Sequence, residues 1–350
     1  MPRSARALGT GGAMRDKGFQ VMCVSTQRRF ARLVSAFACA GVLISAVACG
    51  TASGPTVIAD RSPVVIEHGM GSTVFGDVPK RIVALSGSWA DSLLALGIQP
   101  VGVGTLTGFG PADGKLSWQG DYDAQVVALS LVGAPDYEAI AALDPDLILA
   151  DYSANTPAVY QKLSEIAPTV AQLKAGDFVS PWRDQVRVLG RVVGLEHRAE
   201  SLVAETEADI AAVRETFPAA AGKTFAIATV GGPSVGVVGS ESDAAATLLG
   251  ELGLRLDPAV IELGKGRSRL TVSYEQARPA LSADVLLVRS SRGEESLEAM
   301  IPGWDGLPAV RSGTAVMVDR PLSGAISDPS VLNIDLLLDS IRPALEKLAA

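Results

Sequence analysis

The stretch RIVALSGSWADSLLALGIQPVGVG, residues 81–104, decides the fold class of this protein. A short β-branched strand leads into a turn of small residues, and an amphipathic helix and a second apolar strand follow. Strand, helix and strand in this order are typical of a parallel sheet. Ligands of open α/β sheets bind beyond the carboxyl ends of the strands. The residues just after the first strand, Ser86, Ser88 and Trp89, are therefore candidate ligand contacts.

The same alternation of apolar runs and helical stretches continues along the chain and predicts two α/β halves. Strands are predicted at 82–85, 100–103, 147–150, near 170, 224–230, 235–238, 285–288 and 315–318. Helices are predicted at 90–96, 137–143, 158–166, 243–252, 274–280 and 330–348. Between the halves, residues 181–217 place apolar residues at helical spacing, and Gly194 is expected to bend or split this connector.

The first residues of the chain are typical of a secretory signal. Basic residues, among them Arg28, Arg29 and Arg32, precede an apolar run at 33–48 that is shorter than the ~20 residues of a membrane span. Cys49 follows small residues and resembles a bacterial lipobox, although Ala46 stands where that pattern usually has Leu. We therefore expect Cys49 to be lipidated. Modification of Cys39 and ordinary signal-peptidase cleavage are the alternatives, and Met14 or Met22 is an alternative start.

Composition supports a globular protein of two domains, with 350 residues and a net charge of −8. Loss of the basic leader would leave the chain still more acidic, which disfavours nucleic acid and anionic lipid surfaces as partners. No Cys follows Cys49, so the mature chain depends on its core and not on disulfides. The expected segments are a signal peptide at 1–48, a flexible tether at 49–72, an N-terminal lobe at 73–180, a connecting helical region at 181–217 and a C-terminal lobe at 218–350.

One short pattern occurs in both halves. Asp136-Tyr137-Glu138 and Ser273-Tyr274-Glu275 each precede a short helix, with Asp136 and Ser273 as the capping residues. The helix dipole alone explains an acid in the first turn. Two matched acids in two matched halves also fit a surface that docks a partner.

Five stretches in collinear order resemble the substrate-binding lipoproteins of ABC importers for iron–siderophore complexes and cobalamin. They are residues 81–104, APDYEAIAALDPDLILA (134–150), SPWRDQVRVLGRVVGLEHRAESL (180–202), VSYEQARPALSADVLLV (272–288) and PGWDGLPAVRSGTAVMVD (302–319). The resemblance covers roughly residues 78–345. It implies two Rossmann-like α/β lobes joined by a single long helix, with the ligand in the cleft between them.

The resemblance also implies the partners and the location of the protein. One Glu on each lobe of that family meets Arg residues of the membrane permease, and Glu138 and Glu275 match those positions. The expected protein is a monomer on the extracytoplasmic face of the cell membrane, held by a lipid on Cys49.

Residues beyond the strand ends, an aromatic residue in a loop and the basic stretch at 265–269 are candidates for lining the cleft. They are Ser86, Ser88, Trp89, Thr107, Trp118, Tyr152, Arg267, Arg269, Arg289, Arg292 and Arg320. Arginine forms forked hydrogen bonds to anionic oxygens, and aromatic rings add apolar and cation–π contacts. This set fits a ferric chelate with catecholate, hydroxamate or carboxylate oxygens. The alternative for any single arginine is a solvated surface position.

Histidine is too scarce for a receptor of bare metal ions, which takes several His together with carboxylates. The only two are His68, in the expected tether, and His197, in the connector. Iron is therefore expected to arrive with its own chelator, and no protein-bound metal or cofactor is predicted. Cobalamin and haem stay as alternative ligands.

Residues 232–236 form a literal G-x-S-x-G around Ser234, the motif of many serine hydrolases. That motif should lead into a helix and be followed by a His, whereas here a strand follows and both His residues come earlier. A turn between two strands explains these glycines better, so no catalytic residue is expected. A structural envelope protein without a ligand is the third alternative.

Overall fold

The computed structural model describes residues 62–106, 113–130, 134–154, 156–176, 179–290 and 295–350. The predicted signal, Cys49, Thr107 and Arg292 lie outside these residues. Within them, none of the helices has the length and apolarity needed to cross a bilayer.

The N-terminal lobe is built on a sheet of five parallel strands in the order β5-β4-β3-β6-β7, and a two-stranded hairpin precedes it. The strands are β1 (Val64–His68), β2 (Gly71–Phe75), β3 (Ile82–Ala84), β4 (Gly102–Leu106), β5 (Gln125–Leu129), β6 (Leu147–Leu149) and β7 (Thr169–Val170). The helices are α1 (Gly87–Ala95), α2 (Tyr137–Ala141) and α3 (Pro157–Ile166). Strands β3 and β6 are wholly buried, as expected for parallel strands covered on both faces.

The hairpin corrects the predicted tether, because residues 64–72 are not a linker. Strands β1 and β2 pair antiparallel, and Ile66, His68, Thr73 and Phe75 point inward. Thr73 Oγ1 donates to the carbonyl oxygen of Thr169 at 2.6 Å, which attaches the hairpin to β7. The N-terminal lobe therefore begins at β1.

The connecting region contains two helices, and the second of them is a single helix of 21 residues. The two helices are α4 (Trp182–Val193) and α5 (Glu196–Thr216). Gly194, with φ of 74° in the left-handed region, ends α4 and confirms the expected split. Arg183 on α4 forms ion pairs with Glu207 of α5 and with Glu251, at 2.5 and 2.8 Å.

The C-terminal lobe has a six-stranded sheet in the order β11-β9-β8-β12-β13, with β10 beside β8. The strands are β8 (Thr224–Gly231), β9 (Ser234–Val238), β10 (Arg255–Leu256), β11 (Arg269–Val272), β12 (Val285–Ser290) and β13 (Ala315–Met317). The helices are α6 (Ala244–Glu251), α7 (Pro258–Gly264), α8 (Ala277–Ala280), α9 (Glu295–Met300), α10 (Pro308–Ser312), α11 (Arg320–Ser327) and α12 (Ile334–Ala349). Strands β8, β12 and β13 run parallel, whereas β9 and β11 are antiparallel additions. The protein is thus α/β with two lobes.

The strands predicted from the sequence are all present, with bounds shifted by one to three residues. The hairpin and strands β5, β10 and β11 were not predicted. These are short strands at edges or beside a single partner, so pairing with that partner defines them more than their own composition does.

Candidate functional site

A cavity of about 400 Å³ lies between the sheet of the C-terminal lobe and α11. Its apolar wall includes Ile227, Leu287 and Ile326, which are 4–7% exposed. Its polar lining comprises Arg267, Arg269, Arg289, Thr229, Thr271, Ser323 and Ser327. Volumes of roughly 300–1,000 Å³ with few polar groups on an apolar wall are typical of ligand sites.

Strands of the sheet bring the three cavity arginines together. Arg289 follows the buried part of β12 and pairs in register with Thr229 at the end of β8. Arg269 begins β11, and Arg267 lies just before it. The structure thus brings Arg289 and the basic stretch that contains Arg267 and Arg269 to one cavity.

The three arginines differ in their partners. Arg269 Nε donates to Asp243 Oδ2 at 3.0 Å, and Asp243 is 4% exposed. Arg289 Nη1 reaches Ser323 Oγ at 3.5 Å, and Arg267 Nε donates to the carbonyl oxygen of Gly264. Neither Arg267 nor Arg289 forms an ion pair with any described residue. The cavity therefore carries positive charge that no described carboxylate pairs with.

Ser86 and Ser88 lie at the start of α1, and Ser88 contacts the other lobe. Ser86 caps the helix, and the backbone N–H of Ser88 donates to Asp328 Oδ2 of the C-terminal lobe at 2.9 Å. Gln185 of α4 donates to Ser88 Oγ and to Asp151 Oδ2, both at 2.9 Å. The two serines are 0–1% exposed, so they are part of a buried polar junction and not of an open surface.

Burial shifts the ionisation of this junction. It raises the pKa of Asp151 to about 7, although Ser180 and Gln185 donate hydrogen bonds that favour the carboxylate. Burial likewise raises the pKa of Asp328, against the lowering effect of Ser88 and the Arg269 charge. The pKa of the Tyr152 phenol is raised by burial and by both carboxylates, which places Tyr152 beside the junction.

Trp118 belongs to a loop at residues 113–122 of the N-terminal lobe, and it faces the other lobe. Its Nε1 donates to Asp91 Oδ2 at 2.8 Å. Its ring atom Cη2 would lie 3.8 Å from a Cβ placed on Gly324 of α11, the helix that lines the cavity. Trp118 therefore lies near the edge of the cavity without lining it, and its contact with the ligand stays a prediction.

Trp89 and Arg320 do not line the cavity. Trp89 is 0% exposed and packs in the core, so it offers a ligand no surface in this structure. Arg320 is the exposed first residue of α11 and does not line the cavity. The spacing of Trp89, Leu93 and Leu96 is that of one buried helix face, and this signal could have identified Trp89 as a core residue.

Asp243, Ser323 and Asp328 were missed by the sequence analysis. Asp243 also caps α6, accepting from the N–H of Ala245, so its pattern indicates a cap and gives no sign of Arg269 as a partner. Nothing local distinguishes Ser323 or Asp328, because their partners come from distant parts of the chain.

Glu138 and Glu275 are both exposed and lie in the first turns of their short helices, as expected. Glu138 is the second residue of α2. Glu275 lies in the 3₁₀ turn Tyr274–Gln276 before α8, where its own N–H and the Ser273 hydroxyl lower the pKa of its carboxyl.

Ser234 lies where the sequence analysis placed it, in a hairpin. Gly231 pairs with Ser234 across the antiparallel strands β8 and β9. Gly232 has φ of 68° and Pro233 follows it, the residue pattern of a type II′ turn. The described residues contain no group of three or more His, Cys, Asp or Glu side chains that could hold a metal ion.

Comparison with known proteins agrees with this architecture. The chain matches the periplasmic binding protein family over residues 82–321. It is 27% identical over 304 residues to the "Probable siderophore-binding lipoprotein YfiY" of Bacillus subtilis, covering 81% of this chain and 88% of that protein. It is 25% identical to the Fe(3+)-citrate-binding protein YfmC of B. subtilis, over 73% of this chain and 78% of that one.

A solved structure gives the same result. The crystal structure of Streptococcus pneumoniae PiaA in complex with ferrichrome superposes with a TM-score of 0.66 and 26% identity, covering 81% of this chain and 99% of that one. The matched residues span both lobes and the connector. This chain therefore belongs to the periplasmic binding protein family, a family of solute-binding proteins and not of enzymes.

Proposed function

We propose that this protein captures a negatively charged ferric chelate, such as a ferric siderophore, and delivers it to the permease of an ABC importer. The observation that carries the proposal is the cavity of about 400 Å³, whose Arg267 and Arg289 have no carboxylate partner among the described residues. Arginine in such a cavity favours a ligand with anionic oxygens. The relatives named for siderophore and ferric citrate binding support iron as the cargo.

The chelate would contact both lobes. Arg267, Arg269 and Arg289 would bind its charged oxygens from the C-terminal lobe, and Trp118 and Tyr152 would approach from the other. Thr107 and Arg292, which lie outside the described residues, stay predicted contacts.

Titration calorimetry of the purified protein tests this proposal. Ferric citrate, a ferric hydroxamate, a ferric catecholate, haem and cobalamin would be compared. We expect a negatively charged ferric chelate to bind most tightly, and Arg289→Ala to weaken it about tenfold to a hundredfold, the cost of a lost charged hydrogen bond. Arg214→Ala removes an exposed arginine from the last turn of α5 and should leave affinity unchanged.

Two results would overturn the proposal. Tighter binding of haem or cobalamin than of every ferric chelate would assign the cavity to another ligand. Equal affinities of the Arg289→Ala and Arg214→Ala variants would show that the cavity is not the site.

We infer further that a lipid on Cys49 holds a monomeric receptor on the outer face of the membrane. Relatives named as lipoproteins support this, together with the basic and apolar leader before Cys49. Two acyl chains would make such anchoring stable. Membrane fractionation of a Cys49→Ser variant checks it, and recovery of that variant wholly with the membrane would contradict it.

A further inference from the structure

Asp91 is a buried carboxylate at which three separate parts of the chain meet. It lies on α1 and is 0% exposed. Trp118 Nε1 donates to Oδ2 at 2.8 Å, and Gln119 Nε2 donates to Oδ1 at 2.5 Å. Ser330, which precedes α12 of the C-terminal lobe, donates its hydroxyl hydrogen to Oδ2 as well.

The loop at 113–122 is organised around the same carboxylate. Gln119, whose amide nitrogen binds Asp91, accepts from the Tyr122 hydroxyl at 3.0 Å and from the Leu116 N–H at 2.8 Å. One side chain and one backbone N–H of the loop thus depend on a glutamine that Asp91 holds in place. The loop has no regular helix or strand in this segment that could fix it otherwise.

Across the junction, the loop meets the helix that lines the cavity. Trp118 lies against Gly324 of α11, and the neighbouring Ser323, Ile326 and Ser327 line the cavity. The same junction includes the contact of Ser330 with Asp91. Asp91 therefore fixes both the ring that approaches the cavity edge and the C-terminal segment beneath it.

We propose that Asp91 is a positioning residue for ligand binding, which acts by holding Trp118 at the edge of the cavity and by tying the two lobes through Ser330. Asp91 itself does not touch the ligand. A carboxylate suits this role because both oxygens accept, whereas Asn would turn an NH₂ group toward donors. The ligand in this inference is the ferric chelate of the proposed function.

A double-mutant cycle on the full chain tests the inference, with Asp91→Asn, Trp118→Phe and the two combined. We expect each single variant to lower affinity for the bound ferric chelate about tenfold, as for loss of a charge-assisted hydrogen bond. The combined variant should lose little more than either single variant, because both changes remove the same hydrogen bond between Trp118 and Asp91. Asp284→Asn, which alters a carboxylate that accepts from Thr224 at the far end of β8, is the matched control and should bind normally.

Tryptophan emission supplies a readout that needs no ligand. Trp89, Trp182 and Trp304 are at most 7% exposed, whereas Trp118 is half-buried. Asp91→Asn should shift the Trp118 emission, obtained by difference from Trp118→Phe spectra, to longer wavelength, and Asp284→Asn should not. If Asp91→Asn does not fold, Gln119→Met should give the same shift and a similar loss of affinity.

The outcomes separate this inference from the proposed function. Failure of the wild-type protein to bind any ferric chelate contradicts the proposed function. In that case the shift in Trp118 emission still tests whether Asp91 positions Trp118. Wild-type affinity in Trp118→Phe, additive losses in the combined variant, or unchanged Trp118 emission in Asp91→Asn and Gln119→Met would each overturn the positioning role.

Discussion

Asp151 shows how a single buried carboxyl couples the stability of this protein to pH. It follows β6, is 0% exposed, and accepts from the Ser180 N–H at 3.2 Å and from Gln185 at 2.9 Å. Burial nevertheless dominates and raises its pKa to about 7. In the unfolded chain the pKa of an Asp is about 3.9. Between these values the folded state binds more protons than the unfolded state.

Asp151 should therefore lower the free energy of unfolding as pH rises toward 7. The slope it contributes is at most about 1.4 kcal/mol per pH unit, and it disappears above the folded-state pKa. Burial also raises the pKa of Asp91, to about 6, and the pKa of Asp328, so these two carboxyls act on stability in the same direction as Asp151. Urea denaturation of Asp151→Asn at stepped pH should show a flatter dependence than wild type. Equal slopes in the two proteins would contradict the raised pKa.

Whether a residue of the site can be identified from the sequence depends on how far along the chain its contacts lie. Arg289 was a candidate because it follows an apolar strand, and Arg267 and Arg269 were candidates because they form a basic stretch in an acidic chain. Asp91 and Asp328 could not be predicted, because their partners lie 239 and 240 residues away in sequence. No local sequence pattern indicates a contact over such a distance.

The helix pair α4–α5 depends on close approach at Gly190. A Cβ at this position would lie 2.4 Å from the Cβ of Ala199 on α5, far inside van der Waals contact. Gly190→Ala should therefore destabilise the protein by about 1–3 kcal/mol, the typical cost of overpacking, despite the better helix propensity of Ala. Chemical denaturation would measure the change.

Gly250 provides the matched control within a helix. It lies in α6, is exposed, and would have no atom within 4 Å of an added Cβ. Gly250→Ala should stabilise the protein by about 0.5–1 kcal/mol, since only propensity changes. A stabilising Gly190→Ala variant would show that α4 and α5 can separate without cost.

The elements that the sequence predicted are those with their own periodicity. Strand β8 has a nearly continuous apolar run, and helix α4 has apolar residues at helical spacing. The hairpin was missed because residues 49–72 were predicted as a tether, although the alternation of Ile66 and His68 with exposed residues indicates a strand. Strand β11 was missed because its four residues follow a basic stretch and contain no long apolar run.

One apolar core runs through both lobes and the connector, which limits how the whole molecule can respond to its ligand. The core cluster includes Leu93 of the N-terminal lobe, Leu189 and Ile210 of the connecting helices, and Leu286 of the C-terminal lobe. The junction of Ser88 with Asp328 adds a buried polar contact between the lobes. We therefore expect small movements on binding, so that the outer faces of the two lobes keep nearly fixed positions.

Fixed outer faces suit a permease that must contact both lobes together, and Glu138 and Glu275 are the proposed contacts. Both are exposed, one on each lobe. Exposed charges mainly set encounter rate and orientation, so they should contribute little to affinity for the chelate. Combined Glu138→Lys and Glu275→Lys should therefore abolish uptake of the iron chelate by cells while the purified protein binds it normally.

A control with Glu215→Lys and Glu346→Lys makes the same change in net charge at exposed sites on α5 and α12 and should transport normally. Equal uptake by the two double variants would place the docking face elsewhere, and loss of chelate binding in the first would assign the acids to the fold.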